Sequence, residues 1–121
     1  MINLKSSVYS AMLTSTAIQS LVSSRIHFHY PDSFVTLPCI SYFEINNSES
    51  FHADNVEVES LILFRVDLWG TDSLSTLALA VDDVMKGEGF FRIGSVDLFE
   101  QDTNIFHKSM TYQNNYIDTT F

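Results

Sequence analysis

The clearest pattern of hydrophobic and polar positions runs from Leu61 to Gly87. A long apolar strand breaks at Gly70, and an amphipathic helix follows it. The apolar face of that helix repeats at spacings of three and four and carries Leu74, Leu77, Ala78, Val81 and Met85. Thr71 or Ser73 is the expected N-cap, and Gly87 suits the C-terminal stop. A strand that runs into a helix folding back on it predicts a small α+β domain.

Two shorter helices are predicted at the start of the chain. The stretch 3–14 carries one helical face, with Asn3 as its N-cap. That face consists of Leu4, Val8, Ala11 and Met12. Thr16 followed by Gln19 is a capping-box pattern, and it predicts a helix of one or two turns that reaches about Ser23.

The remaining apolar segments alternate with period two and predict five strands. Their expected ranges are 25–30, 39–45, 56–69, 90–100 with a bulge at Gly94, and 105–112 or slightly beyond. The strand at 56–69 exceeds the usual length of about 5 or 6 residues. The polar stretch 46–55 is expected to be a loop that projects from a long hairpin. The polar tail 113–121 is expected to be ordered only by a neighbouring molecule.

The predicted fold class is therefore α+β, with a mostly antiparallel sheet, helices on one face, and the order α(α)-β-β-β-α-β-β. All 121 residues are expected to form a single domain. No repeat, low-complexity block or domain boundary interrupts it.

Composition narrows the possible partners. The net charge is −9, and the chain has 15 acidic and 6 basic residues without a basic cluster. Gripping duplex DNA requires lysine and arginine, so nucleic-acid binding by an exposed surface is not expected. The single cysteine, Cys39, lies in an apolar context and predicts a buried side chain rather than a disulfide. No signal peptide or membrane-spanning run is visible, and the expected compartment is a reducing cytoplasm.

Candidate chemistry is sparse. His27 and His29 share one side of a strand, but His52 and His107 are predicted to stand alone, so no metal site is expected. Asp82 and Asp83 are predicted to lie on the solvent side of the helix. Glu57 and Glu59 share one strand face, which we expect to be a solvent-exposed surface and not an active site. No nucleophile elbow or phosphate loop is present, so neither enzyme activity nor a cofactor is predicted.

Four passages, in order, carry a resemblance: LVSSRIHFHYP, LPCISYFEI, FRVDLWGTDSLSTLALAVDDVM and DLFEQDTNIFHKSMTY. Together they span about residues 4–112 and resemble the small tail-completion, or tail-terminator, proteins of long-tailed bacteriophages, which join tail to head. One departure is the pair Ser23 and Ser24, where the family pattern leads us to expect glycine. None of the four passages is a catalytic signature.

The resemblance implies a virion protein made in the host cytoplasm. It implies a homohexameric ring that caps the head-proximal end of the tail tube, with a monomer in solution left open. Its partners would be the tail-tube protein and the head connector or stopper, with DNA passing through unbound and no membrane involved. Interface residues are expected to include Phe51, His52, Tyr116 and Phe121. Glu57 and Glu59 would face the lumen.

Two alternatives remain open. The protein could be a head-completion, stopper or minor tail component. It could also be a small cytoplasmic ligand-binding domain or enzyme, which would have a concave apolar pocket within a monomer or dimer.

Overall fold

The computed structural model describes residues 1–29, 36–53 and 56–117. Three helices and five strands follow one another in the predicted order, so the α+β class is confirmed. The helices are α1 (Lys5–Thr14), α2 (Thr16–Val22) and α3 (Ser75–Gly87). The strands are β1 (Ile26–Phe28), β2 (Cys39–Ala53), β3 (Val56–Gly70), β4 (Phe91–Glu100) and β5 (Ile105–Ile117).

The five strands form one sheet in the order β1-β2-β3-β5-β4. β1 pairs with β2 in parallel, and all other neighbours are antiparallel. The β2–β3 hairpin has 15 residues in each strand, and β3 is the central strand of the sheet. β5 is inserted between β3 and β4, which leaves β4 at one edge.

The hydrophobic core lies between the sheet and its helices. β3 contributes Ile62, Phe64, Val66 and Leu68, all fully buried, as its alternation predicts. α3 and its N-cap residue contribute the whole predicted apolar face, Leu74, Leu77, Ala78, Val81 and Met85. Val8 and Met12 of α1 and Ile18 and Val22 of α2 complete the layer. The apolar faces of the three helices and of β3 therefore pack together in one core.

The helix ends differ from the prediction in detail. α2 is capped by Ser15, whose Oγ accepts the N–H of Ile18 at 3.3 Å, so Thr16 is the first helical residue and not the cap. The caps of α1 and α3 are Leu4 and Leu74, which make no side-chain capping bond. Asn3 and Ser73 instead accept the backbone N–H groups of the first helical residues, Lys5 and Ser75, at 3.1 and 3.3 Å.

Two positive φ angles mark the chain reversals after helices. α3 ends at Gly87, as expected, and Gly89, with φ 89°, is the left-handed residue that follows it. Ser23, with φ 55°, ends α2. This conformation favours glycine, and it falls where the family resemblance leads us to expect one.

Two segments predicted to lie outside the sheet are strands. Residues 46–53 of the expected loop belong to β2 and pair with β3 as far as Val56. Residues 113–117 of the expected tail belong to β5 and pair with β3 from Leu63 to Glu59. Backbone hydrogen bonding to β3 holds both segments, so their polar side chains do not prevent strand formation. The expected bulge is confirmed by a register shift between Arg92 and Gly94.

β1 is shorter than the predicted strand at 25–30. His29 follows it with φ 65°, which ends the extended conformation. Residues 30–35 lie outside the described residues.

Candidate assembly surface

β4 is an edge strand, and every residue from Phe91 to Phe99 is exposed. Its large apolar side chains are between 45% and 55% exposed: Phe91, Ile93, Val96, Leu98 and Phe99. Phe106 of β5 packs beside Phe99 with ring centroids 4.7 Å apart and is itself exposed. Natural edge strands are usually short or carry charges that discourage pairing with other chains. β4 is ten residues long and apolar.

The two charged side chains between Phe91 and Phe99 are engaged within the molecule. Arg92 Nη1 lies 2.8 Å from Asp82 Oδ1, and Asp97 Oδ1 accepts a hydrogen bond from Lys108 Nζ at 2.9 Å. In both cases the charged group is paired with another side chain of the same subunit. Arg92 and Asp97 therefore each have an oppositely charged partner within the subunit, although Asp97 remains 82% exposed.

A groove runs between α3 and β4 because α3 does not cover the edge strand. It consists of two adjoining clefts of about 360 Å³ each. One lies at the start of α3, and its lining includes Ser75, Leu98 and Phe106. The other lies along α3 beside Arg92, and Leu79 on its rim is 69% exposed. The groove and the β4 edge form one continuous surface, named the β4 surface below.

The opposite side of the sheet has a second, smaller apolar region. On this side β1 pairs with Ile40–Tyr42 of β2. Phe28 is 44% exposed there, and Ile45 is 48% exposed at a register shift between Glu44 and Asn46. This region is named the β2 edge below.

Asp82 organises a polar network beneath the β4 surface. It accepts a hydrogen bond from the Tyr112 hydroxyl at 2.9 Å and forms ion pairs with Lys86 at 2.9 Å and Arg92 at 2.8 Å. The expectation that Asp82 lies on the solvent side of α3 is wrong, because Tyr112 and Arg92 project from the sheet to meet it. Asp83 is exposed, as expected.

The network shifts the acidity of both groups. Burial acts to raise the pKa of Asp82, but hydrogen bonds from Lys86 and Tyr112 and the charges of Arg92 and Lys86 outweigh it, so the net pKa is lowered. Burial, followed by the hydrogen bond to Asp82 and its charge, raises the pKa of Tyr112. Asp82 therefore stays ionised and Tyr112 stays protonated at neutral pH, which suits a structural link between α3 and β5.

A second polar cluster lies on the sheet face away from the helices. His107 Nε2 lies 2.7 Å from Asp67 Oδ1, and Arg65 Nε donates to the same oxygen at 3.1 Å. The His107 ring stacks on Trp69 at 3.7 Å, and Trp69 Nε1 donates to Ser41 Oγ at 3.0 Å. The expectation that His107 stands alone is wrong. The β3–β5 register sets Trp69 opposite His107 and brings the cluster together.

Neither cluster has the arrangement of a catalytic or metal centre. Among the described residues, no three His, Cys, Asp or Glu side chains are placed to hold a metal ion. His29 stacks on Phe43 with ring centroids 5.9 Å apart. Cys39 is buried as predicted, and burial raises the pKa of its thiol to about 11, against the smaller opposing effect of Arg25. A thiol in that state is a poor nucleophile at neutral pH.

The predicted interface residues occupy different positions in the structure. Phe51 and His52 lie near the end of β2 and pair with Glu59 and Glu57 of β3. Tyr116 lies in β5, half-buried, and packs against the hydrophobic core of its own subunit. Phe121 lies outside the described residues. Their role in an interface stays a prediction, as does a lumen position for Glu57 and Glu59.

The β4 surface was not predicted as an interface. The signal present in the sequence is the run FFRIGSVDLF at 90–99, which has apolar residues at both odd and even positions. A strand with one face in the core and one in water alternates, so this run indicates contacts on both faces. Only Phe90, which lies before the strand, is buried in the subunit core.

The basic residues leave little positive charge for DNA. Lys5, Lys86, Arg92 and Lys108 form ion pairs with Glu44, Asp82 and Asp97. Arg65 pairs with Asp67. Arg25 donates to the carbonyl of Pro38 at 2.9 Å. All six cations in the sequence are thus engaged within the subunit, while the net charge is −9.

A sheet with three helices on one face and an open apolar edge defines a small α+β domain suited to protein–protein contact. No protein-family model and no curated protein matches the chain. Among solved structures, the fold is similar to a chain from a structure titled "Virion of native gene transfer agent (GTA) particle". The TM-score is 0.67 at 10% identity, and the alignment covers 92% of each chain. At this identity the likeness shows a shared fold. None of the described helices is long and apolar enough to cross a membrane.

Proposed function

We propose that this chain is a structural protein of a phage-like virion that caps the head-proximal end of the tail tube. Copies of it associate into a ring, the ring ends tube growth, and its outer surface meets the head connector. The observation that carries the proposal is the shared fold with a virion chain over 92% of both lengths. The four resembling sequence passages point independently to tail completion.

The geometry of the subunit supports a role in assembly. The β4 surface is long and apolar, and β4 pairs only with β5 among the described residues. Phe28 and Ile45 expose further apolar surface at the β2 edge. Open edges of this kind accept strands from other chains. The two internal polar clusters have the character of structural links, because the central groups Asp82 and Asp67 are buried and bonded to side chains of other elements.

The charge distribution supports passage of DNA through the ring. Phosphate binding requires free lysine or arginine, and all six basic side chains are engaged with groups of the same subunit. A ring with excess negative charge repels the phosphates and lets DNA slide. In this proposal Glu57 and Glu59 contribute to that repulsion.

A head-completion or stopper protein is the second candidate, since the shared fold is compatible with either side of the joint. Purified, fluorescently labelled protein incubated separately with tails lacking a cap and with filled heads distinguishes the two. The proposal expects label at one end of each tail in electron and fluorescence microscopy. Label on heads alone would favour the head-completion or stopper function. Label on neither heads nor tails would contradict both functions.

A further inference from the structure

We propose that free copies of this chain form a two-fold dimer in which their β4 strands pair antiparallel. The partner is a second copy of this chain, and the contact joins two sheets across the β4 edge. The dimer requires only the β4 surface. What it means for assembly at the tail tube rests on the proposed function.

The β4 edge is accessible to another strand. β4 pairs only with β5 among the described residues, so the backbone N–H and C=O groups on its outer side have no strand partner there. Its large apolar side chains are about half exposed: Phe91, Ile93, Val96, Leu98 and Phe99. A strand that offers both unpaired backbone groups and apolar side chains favours the addition of a strand from another chain.

The order of residue types along β4 identifies the added strand as a second β4. Residues 91–98 read FRIGSVDL. From either end the order is apolar, charged, apolar, small, small, apolar, charged, apolar, and the two charges have opposite signs. An antiparallel strand of the same sequence therefore matches this one residue by residue, with the two-fold axis between Gly94 and Ser95.

This register gives every charged and apolar side chain a suitable neighbour. Phe91 lies opposite Leu98 of the second copy, and Ile93 lies opposite its Val96. Arg92 lies opposite Asp97 of the second copy, and the symmetry repeats all three pairs. Apolar pairs and oppositely charged pairs across strands stabilise a sheet. A register moved by two residues in either direction separates the opposite charges.

The irregularity in β4 places the two charges on the same face of the sheet. Arg92 and Asp97 are an odd number of positions apart, so a regular strand would direct them to opposite faces. They pair with Tyr112 and Lys108 of β5, which are an even number of positions apart and share a face. The register shift between Arg92 and Gly94 accounts for the difference, because it adds one residue to β4. A cross-strand ion pair about the two-fold axis requires this shared face.

The outer apolar pair meets the same condition. Phe91 and Leu98 are also an odd number of positions apart, yet they pair with Gln113 and His107, which share a face. At the axis, Gly94 has no need of its small size within the subunit. Its φ is not positive, and a β-carbon added there would meet no atom of the same subunit within 4 Å. A glycine inside a strand often marks a close approach of another backbone, which the dimer supplies.

The two charges remain accessible despite their partners within the subunit. The Arg92 side chain is 44% exposed and the Asp97 side chain is 82% exposed. In the dimer, Lys108 and Asp97 of one copy adjoin Arg92 and Asp82 of the other. Charges of alternating sign then follow one another across the contact, so both internal ion pairs are extended and neither is broken.

The dimer covers the β4 surface until a subunit reaches the tail tube. A two-fold contact is complete with two copies and cannot by itself build a ring. In the proposed function, the copies therefore separate before the β4 surface takes part in assembly. Free subunits are thereby kept from associating through this surface away from tubes.

Sedimentation equilibrium of the free protein tests the dimer. Wild type should be a mixture of monomer and dimer. Val96→Lys inserts a charge into an apolar pair at both symmetric positions, and we expect the dissociation constant to rise about tenfold or more. Ser10→Lys adds the same charge on the exposed side of α1 and should leave the constant unchanged. A wild-type protein without a dimer, or equal constants for the two variants, would overturn the inference.

Charge reversal in separate copies tests the register. Asp97→Lys and Arg92→Glu each place like charges opposite one another in their own homodimers, which destabilises strand pairing. In a mixed dimer both pairs again have opposite charges. Affinity-tagged Asp97→Lys should therefore capture untagged Arg92→Glu more than it captures untagged Asp97→Lys. Equal capture would overturn the inference. Arg92→Gln takes the place of Arg92→Glu if thermal melts show that the latter unfolds, with the same ranking expected.

These measurements contain no tail tubes, so their failure is separate from failure of the proposed function. If wild type caps tubes and no free dimer exists, the inference fails and the proposed function stands. If the dimer forms with the expected register and tubes are not capped, the proposed function fails and the dimer stands.

Discussion

Replacing Asp67 by asparagine removes the buried charge at the centre of the polar cluster on the sheet face away from the helices. Asp67 Oδ1 lies 2.7 Å from His107 Nε2 and accepts a hydrogen bond from Arg65 Nε at 3.1 Å. The Asp67 side chain is completely buried. The substitution keeps the volume of the side chain. It weakens two charge-assisted hydrogen bonds to Asp67 Oδ1. It also places a neutral amide at a position where the second carboxylate oxygen, Oδ2, has no hydrogen-bond partner.

The magnitude follows from the exposure of the partners. His107 is 8% exposed and cannot regain water, so loss of its charged acceptor costs about 1.5–3 kcal/mol. Arg65 is 31% exposed and can rehydrate, so its contribution is at most about 1 kcal/mol. We expect the free energy of unfolding to fall by about 2–3 kcal/mol. For a domain of this size, that corresponds to a loss of roughly 8–12 °C in Tm.

Asp97→Asn is the matched control for this experiment. Asp97 forms an ion pair of similar length, 2.9 Å to Lys108, but its side chain is 82% exposed. Solvent screens such a pair, and we expect a change of about 0.5 kcal/mol or less. Urea unfolding followed by circular dichroism measures both variants. Equal losses for Asp67→Asn and Asp97→Asn would refute the reasoning that burial makes the His107 cluster a stabilising structure.

Three further predictions concern acidity, reactivity and DNA passage. The lowered pKa of Asp82 means that its ion pairs stabilise the fold above its ordinary pKa of 3.8 and are lost as pH falls through the lowered value. Asp82→Asn should therefore cost about 1 kcal/mol at pH 7 and nothing at the lowest pH, and a cost that persists unchanged at pH 2 would refute this reasoning. With a thiol pKa of about 11 against an ordinary 9.0, native Cys39 should react with iodoacetamide at pH 7 about 100-fold more slowly than the urea-unfolded chain, and similar rates would contradict its burial. Glu57→Lys combined with Glu59→Lys should slow DNA ejection from assembled particles. Unchanged ejection kinetics would contradict a lumen position for these residues.

The parts of the fold that were predicted from sequence are those in which a single periodicity of apolar residues determines which face of the element is buried. The alternation in β3 and the spacing in α3 each identify a single apolar face, and both faces are buried as expected. Polar composition was a poorer guide. Residues 46–53 and 113–117 are strands because they pair with β3, and backbone hydrogen bonds to an existing strand do not depend on apolar side chains.

Features that depend on the order of strands in space could not be predicted in the same way. Sequence proximity pairs β4 with β5, but only the insertion of β5 beside β3 places β4 at the edge. The same insertion sets His107 opposite Trp69 and brings Tyr112 to Asp82. A helix considered alone assigns Asp82 to solvent, since its partners come from strands distant in sequence. The candidate assembly surface was therefore missed although its apolar residues were visible.

The length of tail tubes grown in the presence of the protein tests the central claim most directly. Tail-tube subunits of the same phage are polymerised with increasing amounts of wild-type protein, Val96→Lys or Ser10→Lys, and tube lengths are measured by electron microscopy. The account predicts shorter tubes with a ring at one end for wild type and Ser10→Lys, and little shortening for Val96→Lys. Tubes of unchanged length without terminal rings at saturating wild-type protein would contradict it.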